Sequence, residues 1–190
     1  MAQLRILMEK WINRQKIFEG RIFDVQGGEA MLDDGRLVRR EVVTHDGGVG
    51  IVPLLGDEVL LIRQYRIAVD EYILEIPAGR REGQEPPQYR AERELEEEIG
   101  YRAAKFHLLA SYYSSAGFTN ERMFIFLATG LQEVGQALEG DEQIEVVPVA
   151  LAEIPRMLAD GIMVDAKTII GLRELLARPD LLTGVGEGGL

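Results

Sequence analysis

The chain has 190 residues, 46% hydrophobic and 28% charged, with no cysteine and a formal net charge of −11. That is room for one domain with an extension and a sizeable core, and it leaves no disulfide framework and no thiolate metal site. The acidic balance argues against general binding to nucleic acid or to a membrane surface, which want basic patches, and no run approaches the roughly 18 apolar residues of a membrane span.

The N-terminus, MAQLRILMEKW, has no long apolar core and no small-residue cleavage site, so no signal peptide is expected. With the absence of cysteine this fits a cytoplasmic protein. Residues 1–45 read as a small antiparallel sheet, with strands at Trp11–Phe18, Arg21–Val25 and Leu37–Thr44. Glu19-Gly20, Gly27-Gly28 and Asp33-Asp34-Gly35 supply turn chemistry between them. Val49–Leu55 and Glu58–Arg66 predict a hairpin across Gly56-Asp57. Ile73–Ala78, Phe106–Tyr113, Met123–Ala128 and Val146–Ala150 read as further strands. Leu151–Ala159 and Ala166–Ala177 read as helices, the second with Asp165 as N-cap. Leu181–Leu190 holds four glycines and reads as a disordered tail. Strands and helices without strict βαβ alternation predict an α+β fold or a mixed sheet with helices on both faces. The expected division is a 1–45 sheet segment, a 46–180 main domain and a 181–190 tail.

The most informative stretch is Gly79–Tyr101, GRREGQEPPQYRAERELEEEIGY. Glu94, Glu96, Glu97 and Glu98 crowd five residues, and like charges three and four apart on a helix repel. Such a run is ordinarily a solvated face. Here Ala91, Leu95 and Ile99 recur at helical spacing as a buried stripe, Pro86 and Pro87 suit the helix start, and Gly100 suits its stop. Glu94 and Glu98 then share a neighbouring face with Glu97 at its edge, whereas Glu92 and Glu96 point elsewhere. Oxygen ligands at that density suit Mg²⁺ or Mn²⁺.

The stretch resembles the signature box of the Nudix hydrolases, with Gly79, Glu85, Arg93, Glu94, Glu97, Glu98 and Gly100 at its fixed positions and Leu95 and Tyr101 at its apolar ones. At ~7% background for each residue type, seven fixed positions coincide on the order of 10⁻⁸ per start point. The resemblance implies a mixed sheet sandwiched between helices over roughly Gly47–Arg178, and hydrolysis of nucleoside diphosphates linked to another moiety.

Outside the box, LIRQYR (Leu61–Arg66) and EYILEIPAG (Glu71–Gly79) are similar to the ADP-ribose pyrophosphatase branch. There an arginine at the spacing of Arg66 contacts phosphate, and the carbonyl before the box glycine, here Ala78, ligates metal. SSAGFTNE (Ser114–Glu121) resembles the branch's substrate loop, with Ala116 in place of its usual proline and Glu121 as a substrate contact. GDEQIEV (Gly140–Val146) matches a mobile loop whose glutamate approaches the reacting water; Glu142 fits best and Glu145 next. His45 and His107 are isolated and read as structural.

The resemblance implies Mg²⁺-dependent hydrolysis of ADP-ribose to AMP and ribose 5-phosphate. Glu94, Glu98 and the Ala78 carbonyl would hold metal, and Glu97 would be a further ligand or a base. Glu85 would sit beside Arg93, which orients the metal-binding helix, and belong to the substrate-binding set. Gly79, Arg93 and Gly100 would be structural. The branch also exchanges its N-terminal segment between subunits and holds adenine there. That implies a homodimer in which Ile22 or Phe23 packs on the base and Arg39 and Glu41 supply polar contacts. Competing readings are a hydrolase of another nucleoside diphosphate sugar, such as GDP-mannose, and a non-catalytic module that senses ADP-ribose.

Overall fold

The computed structural model describes residues 8–138, 140 and 142–182. Of the expected tail at 181–190, residues 183–190 lie outside these residues. Its first position, Leu181, closes a short 3₁₀ turn at Pro179–Leu181, and Leu181 and Leu182 pack against the core. The chain forms two compact units.

The first unit contains a three-stranded antiparallel sheet in the order β1 (Glu9–Glu19), β2 (Asp24–Leu32), β3 (Leu37–Thr44). The third strand has the bounds expected from sequence; the second does not. Gly27-Gly28 is no turn but lies inside β2, opposite Gln15 and Arg14. A Cβ on Gly28 would sit 2.2 Å from the Asn13 carbonyl oxygen, where the β1 register shifts. Glycine in a strand interior here marks close backbone approach rather than reversal. The reversal is at Gly20–Phe23, closed by a Gly20 N–H bond to the Phe23 carbonyl. Tyr113–Glu121 belongs to this unit as well. Its Phe118 carbonyl accepts from the Val43 amide at 2.8 Å, and the Asn120 side chain accepts from the His45 amide at 2.9 Å.

The second unit is a seven-stranded mixed sheet between helices. Its strands are β4 (Gly48–Leu55), β5 (Glu58–Arg66), β6 (Glu71–Glu75), β7 (Ala78–Arg80), β8 (Tyr101–Tyr113), β9 (Arg122–Glu133) and β10 (Ile144–Ala150). The main order is β10-β5-β4-β9-β8; β6 pairs with β5 and β7 with β4. The β4–β9 pair is parallel and the β4–β5 hairpin antiparallel. Strand β8 starts five residues before the expected Phe106, directly after the box glycine.

The apolar runs GIVPL and VLLI are buried on both faces, as in a sheet covered from two sides. Period 2 sorts them. Val49, Ile51, Leu60, Ile62, Phe126 and Ala128 face Ala91, Leu95 and Ile99 of α1 (Pro87–Ile99). Val52, Leu54, Val59, Leu61, Ile125 and Leu127 face Ile154 of α2 (Ile154–Ala159) and Leu172 and Leu175 of α3 (Ala166–Leu176). Asp165 caps α3 as expected, accepting from the Thr168 amide. The expected helix Leu151–Ala159 opens as a 3₁₀ turn at Leu151–Glu153 before α2.

The expected strand Ile73–Ala78 is instead broken. Residues up to Glu75 pair with β5, and residues from Ala78 pair with β4. Between them the Ile76 amide turns to the Thr168 hydroxyl, while Pro77, which has no N–H, offers only its carbonyl, to Ile51. This step between strands aims the Ala78 amide at helix α1.

Candidate active site

Helix α1 starts on Pro87 without a side-chain cap and ends on Gly100, which has φ 76°. A Cβ on Gly100 would lie 2.6 Å from the Gln136 amide nitrogen, so both the left-handed turn and the close approach require glycine. The loop after β9 closes the helix end. Val134 N–H bonds to Gly100 O, Ala137 N–H to Glu97 O and Gln136 Nε2 to Glu98 O. These satisfy carbonyls that a helix end leaves open, and they hold Val134–Ala137 against it.

Glu94 and Glu98 are buried, 4% and 2% exposed, on the face of α1 beside the β6–β7 step. Ala78 N–H donates to Glu98 Oε2 at 2.8 Å. Gly79 lies under the Glu94 carboxylate so closely that a Cβ would fall 1.6 Å from Oε1. Burial first, then the charge of Glu94, pushes the Glu98 pKa up to about 8 against the pull of the Ala78 amide; Glu142 adds to the rise. Burial likewise raises Glu94 to about 7, opposed by Arg90 and reinforced by Glu97 and Glu142. Arg90 is itself buried and forms an ion pair with Glu94, one helical turn away. Nη2 of Arg90 makes that pair with Glu94 Oε1, and Arg90 Nε is left without a hydrogen bond.

The other expected residues divide between the units. Arg66 bonds to the buried Glu75, and the charge of Glu98 reaches it. Glu97 is half-buried and accepts from Arg93 Nη2 at 3.1 Å. Glu85 is not the hydrogen-bond partner of Arg93; its Oε1 accepts from the Glu82 amide, and it acts on Arg93 only as a nearby charge. Glu145 projects from β10 toward Arg63, 3.6 Å away. Only Glu142 of the two loop glutamates bears on both Glu94 and Glu98. In the first unit, Ile22 and Phe23 are exposed, Arg39 bonds to Glu41 at 3.2 Å, and Glu121 lies 3.6 Å from His45 Nδ1. Glu121 is held by its own loop: its amide donates to Thr119 Oγ1 and its carbonyl accepts from Ser114 N–H.

Arg90, Glu75 and Lys167 were not singled out from sequence. The spacing of Arg90 and Glu94, four apart on one helix, was a usable signal. For Glu75 the signals were a lone carboxylate in the apolar run ILEIP and its place inside the stretch Glu71–Gly79.

A family model of the NUDIX domain matches residues 44–169. The chain belongs to the Nudix family. It is 35% identical over 175 residues to a protein of Bacillus subtilis named ADP-ribose pyrophosphatase, covering 90% of this chain and 95% of that one. It is 33% identical over 174 residues to the methanol dehydrogenase activator of Bacillus methanolicus, covering 90% and 94%. A crystal structure of an ADP compounds hydrolase superposes with a TM-score of 0.77 at 26% identity, covering 95% of this chain and 97% of that one. The protein is therefore a Nudix hydrolase with an α+β fold. No helix among the described residues is long and apolar enough to cross a membrane.

Nudix enzymes typically use a divalent metal. Among the described residues no three His, Cys, Asp or Glu side chains form a ready-made metal cage. The donors nevertheless fit a hard cation: two carboxylates, Glu94 and Glu98, are almost fully buried and repel each other, and Arg90 is the cation paired with Glu94. A dication is the natural relief for such a pair.

Proposed function

We propose that this Nudix hydrolase cleaves the diphosphate bond of ADP-ribose, yielding AMP and ribose 5-phosphate. The observation that carries the reading is the buried Glu94–Glu98 pair against the Ala78–Gly79 step, with Glu142 and Arg66 electrostatically coupled to it. The ADP-ribose assignment within the nucleoside diphosphate class is supported by the 35% identity over 175 residues to the Bacillus subtilis ADP-ribose pyrophosphatase.

Glu94, Glu98 and the Ala78 carbonyl would hold Mg²⁺ or Mn²⁺. A divalent ion lowers the pKa of water and neutralises phosphate oxygens. The chain's own part is to place the reactants. Arg66 presents a guanidinium to a phosphate oxygen, a pairing that planar N–H donors suit. Water attacks one phosphorus, the bridging P–O bond breaks, and the other phosphate leaves. Glu142 accepts the water proton, needing only hydrogen-bond reach to do so. Glu97, held by Arg93, keeps the helix face ordered beside the pair or supplies a further ligand.

The functional form in this reading is a homodimer. All of β1 is exposed, with Trp11, Ile12, Ile17 and Phe18 among its side chains, and Ile22 and Phe23 follow. A three-stranded sheet needs a packed face for independent stability. A second copy would cover this one, with Ile22 or Phe23 against the adenine and Arg39, Glu41 and Glu121 as polar contacts to the nucleoside.

The test is a panel of initial rates with Mg²⁺ on ADP-ribose, GDP-mannose, diadenosine polyphosphates and dGTP. ADP-ribose is expected to have the highest kcat/KM. A much higher value on GDP-mannose would move the assignment to another nucleoside diphosphate sugar, and no turnover on any of them would reject catalysis.

A further inference from the structure

Glu75 is 2% exposed and stands between two cations. Its Oε2 accepts from both Nε and Nη2 of Arg66, at 2.9 and 2.5 Å. Its Oε1 faces Lys167 Nζ at 3.3 Å. Lys167 is also paired with Asp165, 3.1 Å from Oδ2. Asp165 Oδ2 in turn accepts from the Thr168 amide at 2.9 Å and the Thr168 hydroxyl at 2.6 Å. That hydroxyl accepts from the Ile76 amide at 2.9 Å. Two cations and two carboxylates thus close a neutral cluster, tied at both ends to the α3 cap and to the backbone after Glu75.

The cluster matters for what it does to Arg66. A guanidinium has five N–H donors in a rigid plane. Glu75 takes the edge formed by Nε and Nη2, and Nη1 makes no hydrogen bond among the described residues. The side chain is 37% exposed, so Arg66 is not sealed in the core with Glu75. An arginine held by one edge has already lost its rotamer freedom, and the ordering cost of meeting a ligand falls accordingly. Lys167 has a separate effect. It pairs with the second oxygen of Glu75 and, through Asp165, ties that carboxylate to the α3 cap.

We propose that Glu75 is a positioning residue for substrate binding: it fixes Arg66 by one edge so that the other meets a diphosphate oxygen, while Lys167 balances its remaining charge. This rests on the reading of Arg66 as a phosphate contact.

The experiment is a double-mutant cycle on the full-length enzyme with Mg²⁺ and ADP-ribose, reading KM and kcat separately, with a melting temperature for each protein. Arg66→Ala is expected to raise KM at least tenfold. Glu75→Gln is expected to raise KM several-fold with kcat changed much less, and to add nothing further in the Arg66→Ala background, because its effect passes through Arg66. Lys167→Met, which disturbs the same cluster but leaves the Arg66–Glu75 bonds, is expected to lower the melting temperature without raising KM comparably. If Glu75→Gln fails to fold, Glu75→Asp, which withdraws the carboxylate by one methylene, takes its place and must show the same non-additivity. A wild-type KM for the Glu75 variant, an undiminished effect in the Arg66→Ala background, or an equal KM rise in Lys167→Met would overturn the proposal while leaving Arg66 as the phosphate contact. An unchanged KM in Arg66→Ala would instead reject the reading of Arg66, and the proposal with it.

Discussion

Glutamine at position 98 is expected to stabilise the metal-free protein at pH 8 while abolishing its response to Mg²⁺. Burial and the neighbouring Glu94 raise the Glu98 pKa from 4.5 to about 8. The folded protein therefore binds this proton more tightly than the unfolded chain does. The resulting stability is fully present below pH 4.5 and is lost as pH rises through about 8. At about 1.4 kcal/mol for each pH unit, the difference amounts to roughly 4–5 kcal/mol above pH 8. It is shared with Glu94, which titrates with it. With ~1 kcal/mol moving the melting temperature by roughly 2–4 °C in a chain of this size, the effect is on the order of 10 °C. Glutamine removes the charge and keeps an oxygen for the Ala78 amide. Wild type and Glu98→Gln would be melted in EDTA from pH 5 to 8, then again at pH 8 with Mg²⁺. The variant's advantage should be small at pH 5 and grow toward pH 8, and Mg²⁺ should raise the wild-type melting temperature alone. A pH-independent gap, or a variant less stable than wild type at pH 8, would refute the reasoning.

Glu94→Gln is expected to weaken Mn²⁺ binding and lower kcat by more than the roughly 10–100-fold that follows loss of an outer-shell partner. Glu96→Gln, which breaks only an exposed pair with Arg102, should match wild type in the same titration and rate assay. Gly79→Ala must displace the Glu94 carboxylate, since its Cβ would fall 1.6 Å from Oε1; Mn²⁺ affinity should drop while the far-UV spectrum is kept. Glu142→Gln should lower kcat by ~10²–10⁴, the range for a general base. Glu145→Gln, whose partner is Arg63, should leave kcat as it was. Light scattering of the full chain should give a dimer at micromolar concentration, and charged substitutions at exposed Ile12 and Ile17 should yield monomers with a raised KM.

The elements legible in the sequence were those whose signal is local. Box helix α1 carries its own stripe, start and stop, and Ala91, Leu95 and Ile99 are buried as the spacing requires. The β4–β5 hairpin needed only two apolar runs and a Gly-Asp turn. Gly27-Gly28 was misread because a glycine pair marks either a reversal or a close crossing, and only the position of Asn13 decides between them. The break at Ile76-Pro77 was hidden for a similar reason: the partner of the Ile76 amide is Thr168, 92 residues away. The site shows the same division. The carboxylates of α1 could be placed by helical geometry. The Glu75–Lys167 contact could not, because it joins a strand end to a helix cap far along the chain.

The central claim is that the Glu94–Glu98 face makes the chain a metal-dependent ADP-ribose hydrolase. Chromatography of the products from ADP-ribose, with Mg²⁺ and with excess EDTA, tests it most directly. AMP and ribose 5-phosphate should appear in equal amounts with Mg²⁺ and vanish with EDTA. Cleavage that persists in EDTA, or products other than these two, would contradict it.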